Sequence, residues 1–321
     1  VKYSDGEIKV NKQMVCPKCG NEFIVKNISK DGKVEDMCLK CGYTGPFDEG
    51  LGKKNIEWAD KSWNPITGCR GPVICKENAV VNSQLTMIAE VGQDPREATY
   101  HQICPGCYAY SIARRLKGRY GYPEEDFFAP TWHPDKVDLP LKRKKPSVYF
   151  AVSMGDWLSD EVKHWWREEM LYVMAKAKQH LFLILTKREE NIKLLKDLEL
   201  PDNLWIGVSV CYAYQIKGAR TLAEAELETE TGRSPLKFIS FEPLMEEKVS
   251  YTPLDGIDWI IAGGRTRQGE YPAFTPPEKW VTNLAVEAKD KGIPMFLKPN
   301  LPYHNDRQEM PQAYHQWRVK Q

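Results

Sequence analysis

The chain has 321 residues, 42% hydrophobic and 28% charged, and its 45 lysines and arginines nearly balance its 44 aspartates and glutamates, leaving a formal charge of +1. That length suits one large domain with a small module beside it, and the near-neutral charge offers no global field that would draw nucleic acid. No apolar run approaches the roughly 18 residues of a membrane span, and the polar start "VKYSDGEIKV" is not a signal peptide. A cytoplasmic location is therefore expected, where clustered cysteines bind metal more often than they form disulfides.

Residues 1–52 read as a separate module. Cys16 and Cys19 form one C-x2-C knuckle, Cys38 and Cys41 another, and each is followed by a glycine (Gly20, Gly42) that lets the backbone turn toward the sulfurs. Four thiolates at this spacing suit a tetrahedral, closed Zn2+ site, with iron, a disulfide or free thiols as the alternatives. Between the knuckles, "NEFIVKNISKDGKVEDM" predicts two short strands around a "KDGK" turn. The unit is a zinc ribbon, a metal staple for a module too small to have a core. Its partner is left open between nucleic acid and protein.

Residues 53–300 alternate apolar, β-rich runs with helical patterns. The strands expected are 55–59, 147–153, 181–186, 204–210, 236–243, 257–264 and 294–299, nearly continuous apolar runs of the kind buried on both faces of a parallel sheet. Helices are expected over 160–178, 188–198, 212–228 and 277–291; in the first, Trp165 and Trp166 both read as core. Six or seven strand–helix units without a G-x-G-x-x-G point to an α/β fold, a partial (β/α) barrel, rather than to a dinucleotide sheet. Chemistry then belongs at the carboxyl ends of the strands, and those ends are polar: "SMGDW", "TKREEN", "SVCY", "SFEPL", "GGRTRQG", "KPN". Residues 301–321 read as a tail laid over the barrel.

A second group of thiols lies between the first strand and the first helix. Cys69 follows "DKSWNPITG"; after a long stretch without periodicity come Cys104 and Cys107 in "ICPGC", directly before the predicted helix "YAYSIARRLKG". A helix N-terminus favours thiolate and anionic groups. Three thiols in the first strand-to-helix loop are candidates for an iron–sulfur cluster. If Cys75 joins them, the same residues make a second closed zinc site instead.

The run "WNPITGC … CPGCYA", with "SMGDW", "LTKREEN", "IGVSV", "FISFEPL" and "DWIIAGG" downstream, resembles a phage- and prokaryote-associated protein family of unknown specific activity, itself similar to radical S-adenosylmethionine (SAM) enzymes. The resemblance covers roughly residues 56–300. It implies that Cys69, Cys104 and Cys107 hold a [4Fe–4S] cluster whose remaining iron binds SAM. It implies too that Ser153, Met154, Gly155 and Asp156 form the turn that meets the SAM amino group. By the same resemblance, Ser209 approaches the SAM ribose or carboxylate, and Gly263 and Gly264 let backbone pack on adenine or substrate. A reductant protein for the cluster is implied as a partner. Two features depart from the usual pattern. Thirty-four residues separate Cys69 from Cys104, and the aromatic usual before the third cysteine is Gly106, with Tyr108 on the other side of Cys107.

Glu242 and Lys187 are the strand-end residues expected to act catalytically. Arg188, Arg265 and Lys298 are further cations that could pair with Glu242. Cys211 reads as a small buried hydrophobe, and the six histidines, His101, His133, His164, His180, His304 and His315, read as scattered surface residues. The substrate is left open between nucleic acid, peptide and small molecule. Two competing readings stand: a non-catalytic zinc adaptor for nucleic acid or protein, and a metal-free lyase using Lys187.

Overall fold

The computed structural model describes residues 56–69, 107–267, 271–303 and 307–319, and the backbone of 24–28 and 34–38. The chain divides into two compact units, Val1–Trp58 and Ala59–Gln321. In the first, β1 (Ile24–Ile28) and β2 (Val34–Cys38) pair antiparallel in the register Ile28↔Val34 to Ile24↔Cys38, and the "KDGK" segment lies outside the described residues. Cys16, Cys19 and Cys41 and the Cys38 side chain lie outside the described residues, as do Cys75 and Cys104.

The second unit is a seven-stranded, all-parallel sheet. Its first strand is β3 (Lys61–Trp63) rather than 55–59. The correction has a local cause: the Asp60 N–H donates to Val148 O at 2.9 Å, and its carboxylate accepts from Val148 N at 2.8 Å. That double clasp fixes the register one turn beyond the apolar run. A two-residue strand, β4 (Ile66–Thr67), pairs antiparallel with β5 (Thr131–Trp132), beyond helix α1 (Tyr108–Leu116). Two four-residue helices follow, α2 (Pro134–Val137) and α3 (Leu139–Lys142), each with proline in its first turn, where a missing N–H is harmless.

Then come β6 (Val148–Ala151), α4 (His164–Lys176), β7 (Leu181–Thr186), a 3-10 helix (Glu189–Asp197), β8 (Leu204–Ser209), α5 (Ile216–Glu224), β9 (Lys237–Phe241), β10 (Trp259–Ala262), α6 (Glu278–Asp290) and β11 (Met295–Leu297). Strand order across the sheet is β3-β6-β7-β8-β9-β10-β11, the order along the chain. Each crossover therefore moves one place in the same direction, which curls the sheet into a half-barrel of the TIM type.

The two sheet faces carry different cores. Phe182 and Ile184, Ile206 and Val208, Ile239 and Phe241, Ile260 and Ala262, and Met295 and Leu297 pack with Met170, Leu171, Leu222, Val281 and Leu284 of the surrounding helices. The alternate residues face inward. Trp205, Phe238, Trp259 and Phe296 form an aromatic floor, with Trp259 5.5–6.4 Å from the other three rings. A Cβ on Gly207 would come 2.6 Å from Phe238 Cζ, so only glycine lets that ring lie on β8.

Within α4, Trp166 is buried but Trp165 is 51% exposed, because neighbouring helical residues point about 100° apart and only one can face the sheet. His133 and His180 are likewise buried rather than at the surface. The His180 ring lies within hydrogen-bond distance of the Pro140 and Arg143 carbonyls and accepts from Ser147 N. Beyond β11, Leu297 N donates to Arg307 O and Glu309 N to Met295 O, so residues 307–309 run antiparallel along that edge. The last helix is α7 (Gln312–Val319), whose Arg318 reaches Asp60 at 3.3 Å. Among the described residues no helix is long and apolar enough to cross a membrane.

Candidate active site

Period-2 alternation carries the inner face of the half-barrel from its aromatic floor to a polar mouth. On β9 and its extension the inward residues are Phe238, Ser240 and Glu242; on β8 they are Trp205, Gly207, Ser209 and Cys211; Lys187 and Lys298 follow the same rule after β7 and β11. The mouth thus collects Lys187, Ser209, Ser240, Glu242 and Lys298 by backbone geometry alone.

Cys107 is the N-cap of α1, and its sulfur accepts from Tyr110 N at 3.5 Å. Cys69 leaves β4 through Gly68, where φ is +86° and a Cβ would lie 2.1 Å from Ala129 O. The two sulfur-bearing side chains pack on one apolar cluster, built from Ala109, Tyr110, Ala113, Tyr122, Phe127, Phe128 and Met154. Burial pushes the Cys107 thiol up, against the Tyr110 N–H and the nearby Lys187 charge. Among the described residues no three His, Cys, Asp or Glu side chains stand together closely enough to hold a metal, and Cys104 is outside them.

The "SMGDW" turn lies against the same cluster. Val152, with φ of +57°, puts a β-branched residue into the left-handed region, a conformation worth of order 1–3 kcal/mol of strain. Contacts on both sides hold it there. Gly155 pairs with Gly68, and a Cβ would meet Gly68 O at 2.6 Å. Asn64 Oδ1 accepts from Met154 N at 3.1 Å, and its side chain bonds Ser153 Oγ at 3.2 Å. Tyr108 donates its hydroxyl to Ser153 O.

Asp156 is buried, with its carboxylate turned into the chain: Oδ1 accepts from Leu158 N at 3.0 Å and Thr186 Oγ1 at 2.8 Å, and Oδ2 from Lys187 N at 2.8 Å. Burial raises its pKa despite those donors. It is a clasp between the ends of β6 and β7, and it orients Lys187.

Glu242, joined to Pro243 by a cis peptide, pairs with Lys298 at 2.8 Å and accepts from Ser240 Oγ at 3.0 Å. Cys211 is buried and its thiol donates to Glu242 O at 3.3 Å. Lys187 and Glu242 both act electrostatically on the Tyr108 hydroxyl. Burial first, then the Cys107 and Glu242 charges, push that phenol up, and Lys187 opposes them. Ser209 is buried opposite Ser240 in the β8–β9 register.

Two strand-end expectations resolve differently. Arg188 meets Asp160 and Glu190, at 3.3 and 3.4 Å, rather than Glu242. Arg265 pairs by main chain with Phe274 and donates Nε to Pro272 O at 3.0 Å. At Gly263 a Cβ would meet Lys298 Cδ at 2.8 Å and at Gly264 Phe274 O at 2.6 Å, and Asn300 hydrogen-bonds both ways with Gly264. Residues the sequence did not single out include Asn64, Ser159 and the buried pair His133–Thr67, 2.7 Å apart. Asn64 and Thr67 lie inside the "WNPITGC" run, which is the signal that could have found them; Ser159 and His133 sit in no motif.

No curated protein matches the chain. Two solved structures are similar, both mutants of spore photoproduct lyase. One, with a dinucleoside spore photoproduct, has a TM-score of 0.36, 10% identity and coverage of 74% of this chain and 75% of that one. The other has a TM-score of 0.35 with the same identity and coverage. Residues 98–317 match the model of the family described as "Protein of unknown function (DUF5131)". That match spans well over half of the 321 residues, and the chain belongs to this family.

Proposed function

We propose that the protein is a radical SAM enzyme whose [4Fe–4S] cluster is held by Cys69, Cys104 and Cys107 at the mouth of the half-barrel. The observation that carries this reading is the meeting of Cys69 and Cys107 on one apolar cluster beside the strand ends, with a cation near each sulfur: Lys187 by Cys107 and Arg188 by Cys69. Soft thiolate donors backed by positive charge fit an anionic iron–sulfur group. When bound, the cluster supplies the electron that cleaves SAM into methionine and a 5′-deoxyadenosyl radical.

The chain's own residues hold and orient. Cys107 is fixed by the α1 amides, and the Asn64 and Tyr108 contacts fix the Ser153–Asp156 turn beside the thiols. That turn offers main-chain groups to SAM; the Asp156 carboxylate, already engaged with its own chain, acts by orienting Lys187. Ser209, Gly263 and Gly264 are the strand-end positions for SAM or substrate, and Glu242 and Lys187 are the residues for catalysis. Cys16, Cys19, Cys38 and Cys41 hold a structural zinc in this reading. A low-potential reductant protein is the partner, the setting is cytoplasmic, and the substrate is a nucleic acid or a peptide.

The test is anaerobic reconstitution of the full chain, metal analysis, and addition of SAM with dithionite. The expected result is brown protein with about four irons per chain beyond its zinc, forming 5′-deoxyadenosine, and loss of both on Cys69→Ala. Colourless protein with two zincs overturns the reading in favour of the adaptor. Activity that survives replacement of all three cysteines favours the lyase.

A further inference from the structure

The thiols of Cys69 and Cys107 are solvated by the protein in different ways. Cys107 receives a main-chain N–H from its own helix. Cys69 receives a side chain from the segment after β6: Ser159 Oγ donates to Cys69 Sγ at 3.9 Å, and Ser159 has no exposed surface.

The hydroxyl is aimed by its backbone. Ser159 N donates to Asp156 O at 3.1 Å, and its carbonyl accepts from Val162 N at 3.0 Å and from Arg167 Nη2 at 3.0 Å. Arg167 Nε is itself anchored on Trp157 O at 2.9 Å. Arg188 adds charge behind the same sulfur. It is 1% exposed, its Nη1 is tied to Asp160 and Glu190, and its buried Nε has no hydrogen-bond partner. Nothing in the clasp formed by Asp156 requires a hydroxyl at 159. An alanine there would keep every main-chain contact just named.

A donor to a ligating thiolate stabilises the more negative, reduced state of an iron–sulfur cluster and so raises its reduction potential. We propose that Ser159 is a positioning residue acting through Cys69, and that its hydroxyl holds the potential of the cluster within reach of a low-potential one-electron reductant. This rests on the radical SAM reading above.

The experiment is a redox titration of the reconstituted full-length protein without SAM, with the reduced cluster followed by electron paramagnetic resonance, on the wild type, Ser159→Ala and Ser159→Thr. Removing the hydroxyl should lower the ratio of reduced to oxidised cluster at a fixed solution potential about tenfold, a shift of 59 mV for one electron. Ser159→Thr, which keeps the hydroxyl, should return the midpoint toward the wild type. A Ser159→Ala protein with its full complement of iron and an unmoved midpoint overturns the inference and leaves the enzyme reading standing. So does a variant whose only change is a lower unfolding midpoint. A wild-type chain that assembles no cluster overturns both.

Discussion

The mouth of the half-barrel has two rims, and they use polar residues to opposite ends. Along the β3–β6–β7 rim, Asp156, Asn64 and Gly155 are each tied to main chain, through the amides of Leu158, Lys187 and Met154 and the backbone of Gly68, with the Thr186 and Ser153 hydroxyls as added partners. Along the β9–β10–β11 rim, Glu242, Ser240 and Lys298 bond one another through side chains, and Gly263 is crowded by the flexible stem of Lys298. The first rim is scaffold for the two sulfurs. The second can rearrange. Polarity at a strand end therefore does not identify a reacting group until its partner is known to be backbone or side chain.

If the first rim is scaffold, Asp156→Ala should be the most damaging change. It leaves three buried donors without an acceptor and should cost about 3–5 kcal/mol in urea unfolding. The same rim should be the acid-labile one. His133, behind Cys69 through Thr67, is held by burial and by Lys136 at a pKa of about 4, below its ordinary 6.5. The unfolded chain binds the proton first as pH falls, so stability is complete above 6.5 and lost between there and 4. The loss should approach about 3 kcal/mol, and unfolding curves at stepped pH on the wild type and His133→Gln measure it.

Gly155→Ala and Gly263→Ala contrast the rims directly. The first sets a methyl against Gly68 backbone and should cost about 1–3 kcal/mol; the second meets a side chain that can move, and its unfolding midpoint should change little. Equal costs would erase the distinction. A modest effect is expected at Glu242 and Lys298, both partly exposed. A double-mutant cycle with Glu242→Gln and Lys298→Met should give a coupling of about 1 kcal/mol.

The sheet was readable because β6 to β11 are apolar on both faces, and a run such as "LFLILT" has no other home. β3 was not, since Lys61 and Ser62 are exposed and three residues fall below any periodic pattern. The 212–228 helix divides into a 3-10 turn (Ala213–Gln215) and α5 for a local reason: Gln215 Oε1 accepts from both Cys211 N and Tyr212 N, ending the strand on a cap. In the site, cysteines announce themselves by type and spacing. Ser159 and His133 do not, because each is a single polar residue whose meaning comes from a partner 66 or 90 positions away.

The strip at 307–309 also bears on how the molecule behaves in a crowd. A half-barrel, unlike a closed one, leaves two margins where a stranger's backbone could dock and seed a growing ribbon. Here the β11 margin is already taken by Gln308 opposite Phe296, and the β3 margin is only three residues long. An open half-barrel is thereby kept from zippering to its neighbours.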